Sequence, residues 1–390
     1  MIEVRGTLIS GDVYVPGELV RIEVCFTNLN ESKPEMIAVA CAEIHCQCSF
    51  SEQKVRLNSK PRGRVSTDYT SFDPSQGEKG FSVLSTRPAI LLSNLSLAPL
   101  TSRTVYFCEY VPDGGPPSFR GSALKYAYKL TVGVQRPNSR THVLRVPLRV
   151  LDISEFLPRR ESLSSSQPQN PFLTSESSED PQLTCAIENL MAHTSRQRLN
   201  STVITRNKST VAVFSLFKSV YRIGEDVVGI MDFSGADLPC YSMTVYLRSK
   251  EKVNEENRQP RAPGCFTETH SSQTRIVLNC QAAHVNLAIP VHSTPAFSTG
   301  LMELSWYLEF EFQLATSIPL GIAPTHNTPD GSCVDDINMG AMPENRDEVW
   351  RCPERVKTET MLMSLPINVV LTTPAQANQS LVLPEQRIKF

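Results

Sequence analysis

Cys41, His45, Cys46 and Cys48 lie close together in the chain, and cysteine with histidine at short range is a donor set that can hold zinc. Their spacing argues against it. In an extended segment alternate residues face opposite sides, so Cys46 and Cys48 share a face and His45 takes the other. Structural zinc instead collects four ligands from paired turn-like motifs such as Cys-x-x-Cys. Small buried thiols are therefore the expectation. His326, Cys333 and Cys352 have no ligand spacing, and Asp335 with Asp336 sits in a polar segment suited to solvated acids. The chain carries no Gly-x-Ser-x-Gly, His-Glu-x-x-His, P-loop or post-strand Gly-x-Gly-x-x-Gly. No catalytic residue, no metal and no cofactor are expected.

Two features could bind rather than react. Lys125, Lys129, Arg145 and Arg149 interleave with apolar residues on two strand-like runs, and neighbouring strands would gather them into a basic face for a partner or an anionic membrane. Outward cations also keep a sheet soluble and block edge pairing. Asn170, Pro171 and Phe172 resemble the tripeptide recognised by Eps-homology domains.

The elements that would carry these residues are strands. Leu124, Tyr126, Tyr128, Leu130, Val132 and Val134 alternate with Lys125, Ala127, Lys129, Thr131, Gly133 and Gln135, the pattern of a half-buried antiparallel strand. Leu144 to Val150 repeats it. Further runs span Leu19 to Thr27, Ile37 to Phe50, Val83 to Leu92, Val211 to Phe217, Val227 to Phe233, Met243 to Leu247, Val285 to Ile289, Leu304 to Phe312 and Leu362 to Val370. The class expected is an all-β sandwich.

Ser154 to Ser178 is rich in serine and proline and poor in apolar residues, so it is expected to be a disordered linker. A short helix is expected around Leu183 to His193, where Ile187, Leu190 and Met191 share a face. Ser51 to Lys79, Lys250 to Gln273 and Ile318 to Lys357 are expected to be long loops. The chain thus divides into a lobe over 1–153, a linker over 154–208, a second lobe over 209–373 and a tail over 374–390.

A repeat supports two lobes. Val13-Tyr14-Val15-Pro16-Gly17-Glu18-Leu19-Val20 returns as Val220-Tyr221-Arg222-Ile223-Gly224-Glu225-Asp226-Val227. Pro117-Ser118-Phe119 and Val146 to Val150 return in the same order as Pro295-Ala296-Phe297 and Leu365 to Val369. Collinearity favours a duplicated sandwich, and the Gly in each first motif has a physical reason, since a turn or bulge can require positive φ.

Across 390 residues, 38 Lys plus Arg nearly balance 40 Asp plus Glu, a formal charge of -2; this excludes a global electrostatic drive toward nucleic acid. The 11 cysteines are odd in number and irregularly spaced, which suits a reducing compartment better than a disulfide scaffold. With no signal-peptide pattern after Met1 and no long apolar run, a cytosolic protein is expected.

These motifs carry a family resemblance. Pro116-Pro117-Ser118-Phe119-Arg120-Gly121, Lys125 to Thr131, Leu144 to Leu151 and Phe217 to Gly229 resemble the Rgp family, whose two lobes are arrestin-like. The resemblance implies two arrestin-like β-sandwich lobes and a non-enzymatic regulatory subunit. It implies a large Ric-type partner in a guanine nucleotide exchange complex, a Golgi Rab GTPase reached through that complex, retrograde endosome-to-Golgi transport and peripheral contact with the Golgi membrane. There is no Pro-Pro-x-Tyr motif for a ubiquitin-ligase adaptor role. An arrestin-type cargo or sorting adaptor is the alternative, favoured only by the 170–172 tripeptide.

Overall fold

The computed structural model describes residues 1–57, 73–75, 77–156, 181–195, 199–315, 358–373, 377 and 386–390. Asn170, Pro171, Phe172 and the 318–357 insertion lie outside them. The first lobe contains β1 (Ile2–Leu8), β2 (Val13–Tyr14), β3 (Leu19–Asn28), β4 (Glu35–Phe50), β5 (Phe81–Ser85), β6 (Ala89–Leu97), β7 (Ser102–Tyr110), β8 (Phe119–Arg120), β9 (Leu124–Gln135) and β10 (Thr141–Val150). A 3-10 turn at Ser154–Phe156 and helix α1 (Pro181–Ser195) follow. The second lobe contains β11 (Asn200–Arg206), β12 (Ser209–Leu216), β13 (Val220–Arg222), β14 (Asp226–Asp232), β15 (Cys240–Val253), β16 (Cys265–Ile276), β17 (Ala282–Ala288), β18 (Phe297–Ser298), β19 (Met302–Ala315) and β20 (Thr358–Val370). The last strand, β21 (Gln386–Lys389), belongs to the first lobe's sheet.

Each lobe is a pair of sheets closed over alternating apolar side chains. The first pairs the order β21-β1-β3-β7 with β2-β10-β9-β4-β5, and the second pairs β11-β12-β14-β17 with β13-β20-β19-β15-β16. The two orders superimpose term for term. One core gathers Ile22, Phe26, Ile44, Tyr128 and Leu130, the other Phe214, Leu247, Leu308, Phe310 and Phe312.

The repeat is also one of hydrogen bonds. β2 runs parallel to β10, with Tyr14 opposite Val150, and β13 runs parallel to β20, with Tyr221 opposite Val369. The Tyr14 hydroxyl donates to the Gly11 carbonyl at 2.6 Å, and Tyr221 repeats this on Lys218 at 3.0 Å. Val15 N–H donates to the Glu18 carboxylate at 3.0 Å, and Arg222 N–H to Glu225 at the same distance. Between them Gly17 and Gly224 adopt φ of 81° and 85°, the left-handed region that costs a residue with a Cβ more.

Four expectations need correction. The run from Val83 to Leu92 is two strands, because Pro88 cannot donate to a ladder and biases Arg87 away from helix into a turn; Thr86 pins that turn to β4 through the Ile44 backbone. The expected loop from Lys250 to Gln273 is largely strand: β15 runs to Val253, and β16 pairs with it from Cys265. Its Thr, Ser and Gln suit an edge strand exposed on both faces, where no apolar period is needed. The expected linker ends inside the second lobe, since β11 pairs with β12. The expected tail contains β21, paired with β1 from Glu3–Lys389 to Gly6–Gln386. β11 flanks β12 in the second lobe as β21 flanks β1 in the first.

Candidate interaction surface and the seam between the lobes

β9 and β10 are antiparallel neighbours, with Lys129 opposite Pro147 and Arg145 opposite Thr131. Adjacency does not leave the cations free. Lys129 pairs with the Glu78 carboxylate, Arg145 Nε reaches the same group at 3.3 Å, and Arg145 also donates to the Pro74 carbonyl at 3.1 Å. Beneath them His45 is fully buried, with Thr131 Oγ1 3.4 Å from Nδ1 and Glu78 Oε2 4.0 Å from Nε2. Burial pulls the His45 pKa down to about 4; Glu78 opposes this, and Lys129 and Arg145 reinforce it. Arg149 turns toward the second lobe and donates to the carbonyls of Val291 at 2.8 Å and Ser293 at 3.0 Å. Of the four, Lys125 is the exposed one.

Arg149 belongs to a seam built from the motif Pro116 to Gly121. Ser118 N–H donates to the Val150 carbonyl at 2.8 Å, Val150 N–H donates back to Ser118 Oγ at 2.9 Å, and the Ser118 carbonyl accepts Thr294 Oγ1 at 3.0 Å. Phe119 meets Phe297 edge to face, centroids 5.2 Å apart. The next turn presents successive amides. The carboxylate of Glu251, a buried residue of β15, accepts from Ser122 N–H at 2.6 Å, Ala123 N–H at 3.0 Å and Leu124 N–H at 3.0 Å. A buried carboxylate is costly unless hydrogen-bonded, and this cradle supplies charge-assisted bonds. Gly121 makes room for it, since a Cβ there would stand 2.6 Å from Glu251 Oε2 and 2.5 Å from the Phe119 ring.

Apolar contacts complete the seam. Val253, Met302 and Leu304 of the second lobe are buried in the first lobe's core. Helix α1 buries Ala186 and Leu190 among Val13, Val15, Leu151 and Ile153 of one lobe and Val370 and Leu371 of the other. Lys54 stands over the Phe266 ring at 4.3 Å and donates to the Ser122 carbonyl at 3.0 Å. Arg149 was legible as a cation and Phe119 as a motif residue. Glu251 carried no signal, because its partners are backbone amides more than a hundred residues away in sequence.

The cysteine cluster is divided by the pleat. Cys46 and Cys48 enter the first core, and burial pushes both thiols up to about 12, while His45 faces the Glu78 side. Among the described residues no group of three His, Cys, Asp or Glu could hold a metal ion.

The Rgp1 family model matches residues 17–155 and 152–315. A RAB6A-GEF complex partner protein 2 from Homo sapiens is 35% identical over 398 residues, covering 97% of this chain and 97% of the relative. Its counterpart of the same name from Bos taurus is 36% identical over 387 residues, covering 94% and 93%.

Proposed function

The chain belongs to the Rgp1 family, and on that footing we propose that it is a non-catalytic partner subunit of an exchange complex that promotes GDP release from a Golgi Rab GTPase. The observation that carries this is 35% identity to a RAB6A-GEF complex partner protein in an alignment covering 97% of each chain. Exchange asks for no acid–base chemistry. It requires a surface that binds the nucleotide-free GTPase better than the nucleotide-bound one, and differential affinity alone shifts that equilibrium. The chain's part is to be a shaped scaffold for a large Ric-type subunit, recruited from the cytosol to the Golgi membrane in support of endosome-to-Golgi retrieval. The seam suits the role. Polar clasps at Glu251, Arg149 and Thr294, with the packed α1 helix, hold the two sandwiches together for a partner to engage.

The test is nucleotide release from a Golgi Rab measured for this chain, the Ric-type subunit and the assembled pair. The pair is expected to release nucleotide faster than either protein alone. Full activity of the large subunit alone, unchanged on adding this chain, would remove the co-exchange role.

A further inference from the structure

The outer face of the sheet β21-β1-β3-β7 turns away from the first core, and its register can be read across all four strands. Lys389 lies opposite Glu3, and Arg387 opposite Arg5. Glu23 and Arg21 of β3 face Tyr106 and Cys108 of β7. On this face Arg5, Arg21, Arg387 and Lys389 stand against Glu3 and Glu23, four cations less two carboxylates, a formal excess of two positive charges. Glu3 is shared, with Arg5 at 3.2 Å and Lys389 at 3.3 Å. Arg21 and Arg387 make no ion pair among the described residues. Tyr106 and Tyr110 complete the face at 70% and 60% exposure.

Like charges directly opposite on neighbouring strands are destabilising, yet Arg387 is set against Arg5. The second lobe shows that the fold does not require it. The matching sheet β11-β12-β14-β17 places Ser201, Ser215, Ile230 and His284 in one row and Val203, Val213, Asp232 and Ala282 in the next, with no opposed cations. Two of the cations come from the chain's last residues, so docking of β21 on β1 assembles the patch.

We propose that this face docks an acidic surface of the large partner subunit, a site that deepens the function above and rests on it. Charge and composition select this occupant. Exposed Tyr and Arg are residue types enriched among the hot spots of protein interfaces. A membrane-binding patch is a cluster of about 4–8 Lys or Arg, a number these four cations only just reach. Here cations alternate with Glu3 and Glu23, and both carboxylates would repel an anionic lipid surface.

The experiment uses the full chain co-purified with the Ric-type subunit, with affinity measured over a salt series. Three variants are compared: R21E/R387E, Y106A/Y110A, and the control K79E/R275E at exposed sites off this face. Vesicles of phosphatidylcholine and phosphatidylserine form a separate arm. Reversing two cations is expected to weaken capture about tenfold or more and to flatten its salt dependence. The tyrosine pair should lose a similar factor with the salt slope retained, and the control should bind as wild type. Unchanged melting of the isolated variants separates docking from folding, and R21Q/R387Q replaces the first variant if it melts early. Wild-type capture with all variants equal to it would overturn the docking face. Loss of vesicle binding with partner capture intact would overturn it in favour of a membrane. Failure of the wild-type chain to capture the subunit would overturn the partner function itself, and this inference with it.

Discussion

Phe119 and Phe297 hold the same place in the two halves of the chain and meet edge to face, 5.2 Å between centroids. Each opens a two-residue strand against the long central strand of its own lobe, Phe119 opposite Tyr126 and Phe297 opposite Leu304. Each follows a residue whose N–H bonds the closing strand, Ser118 to Val150 and Ala296 to Val369. The duplicated motif is thus its own partner across the seam.

A double-mutant cycle measures that contact. Phe119→Ala and Phe297→Ala should each destabilise the chain by about 3 kcal/mol through lost burial. Their effects should fall short of additivity by about 1 kcal/mol, the worth of an aromatic pair beyond its area. Strict additivity in denaturant melts would mean that the rings do not depend on one another.

Glu251 is the polar half of the same seam. Glu251→Ala leaves the amides of Ser122, Ala123 and Leu124 without their acceptor and should cost about 3 kcal/mol, the scale for breaking a buried, charge-assisted network. Glu251→Gln keeps one acceptor oxygen and brings donors to face donors, so it should recover only part of the loss. Proteolysis of Glu251→Ala should open the seam before either core. A melting profile like wild type would show that the carboxylate holds nothing.

How much of this was legible follows from the range of the forces. The alternation of Leu124 to Val134 records a local period of two, so β9 could be placed from sequence, and the Gly17 and Gly224 turns were visible because one local conformation requires them. The same alternation puts the cations of β9 and β10 on neighbouring strands, yet their engagement with Glu78 and the Val291 carbonyl depends on segments remote in the chain. β21 was invisible because Ile388 and Phe390 gain burial only by returning to β1 and to His142, on which Phe390 stacks at 4.3 Å. β16 lacked a period because both its faces meet water.

The two repeat glycines offer a controlled comparison. Gly17→Ala should cost about 1 kcal/mol for a Cβ at positive φ, because the nearest side-chain atom there, Asp113 Oδ1, is 3.7 Å away. Gly224→Ala carries the same backbone strain with a Cβ only 3.0 Å from Val291 Cγ2, and Val291 is fixed by Arg149 on its carbonyl. Gly224→Ala should therefore be the more destabilising in thermal melts. The reverse order would show that backbone strain, and not the Val291 contact, separates the sites.

The last prediction is a dependence on pH. His45 is fully buried and its pKa is pulled down to about 4 from an ordinary 6.5, first by burial and then by Lys129 and Arg145 against the pull of Glu78. A histidine depressed in the folded state takes up its proton more readily when unfolded. Between pH 6.5 and 4 the unfolded chain therefore binds the extra proton, and stability falls with pH across that window. The full loss from this group is about 3 kcal/mol, since each tenfold difference in proton affinity between the folded and unfolded chain is worth about 1.4 kcal/mol. Well above pH 6.5 the imidazole is neutral in both states and contributes no slope. His45→Gln fills a similar place without titrating, so its stability should be flatter than wild type from pH 6.5 to 4 and parallel to it above about pH 7.5. Denaturant melts at closely spaced pH values read this directly; parallel curves through the acid window would show that His45 takes up its proton equally well folded and unfolded.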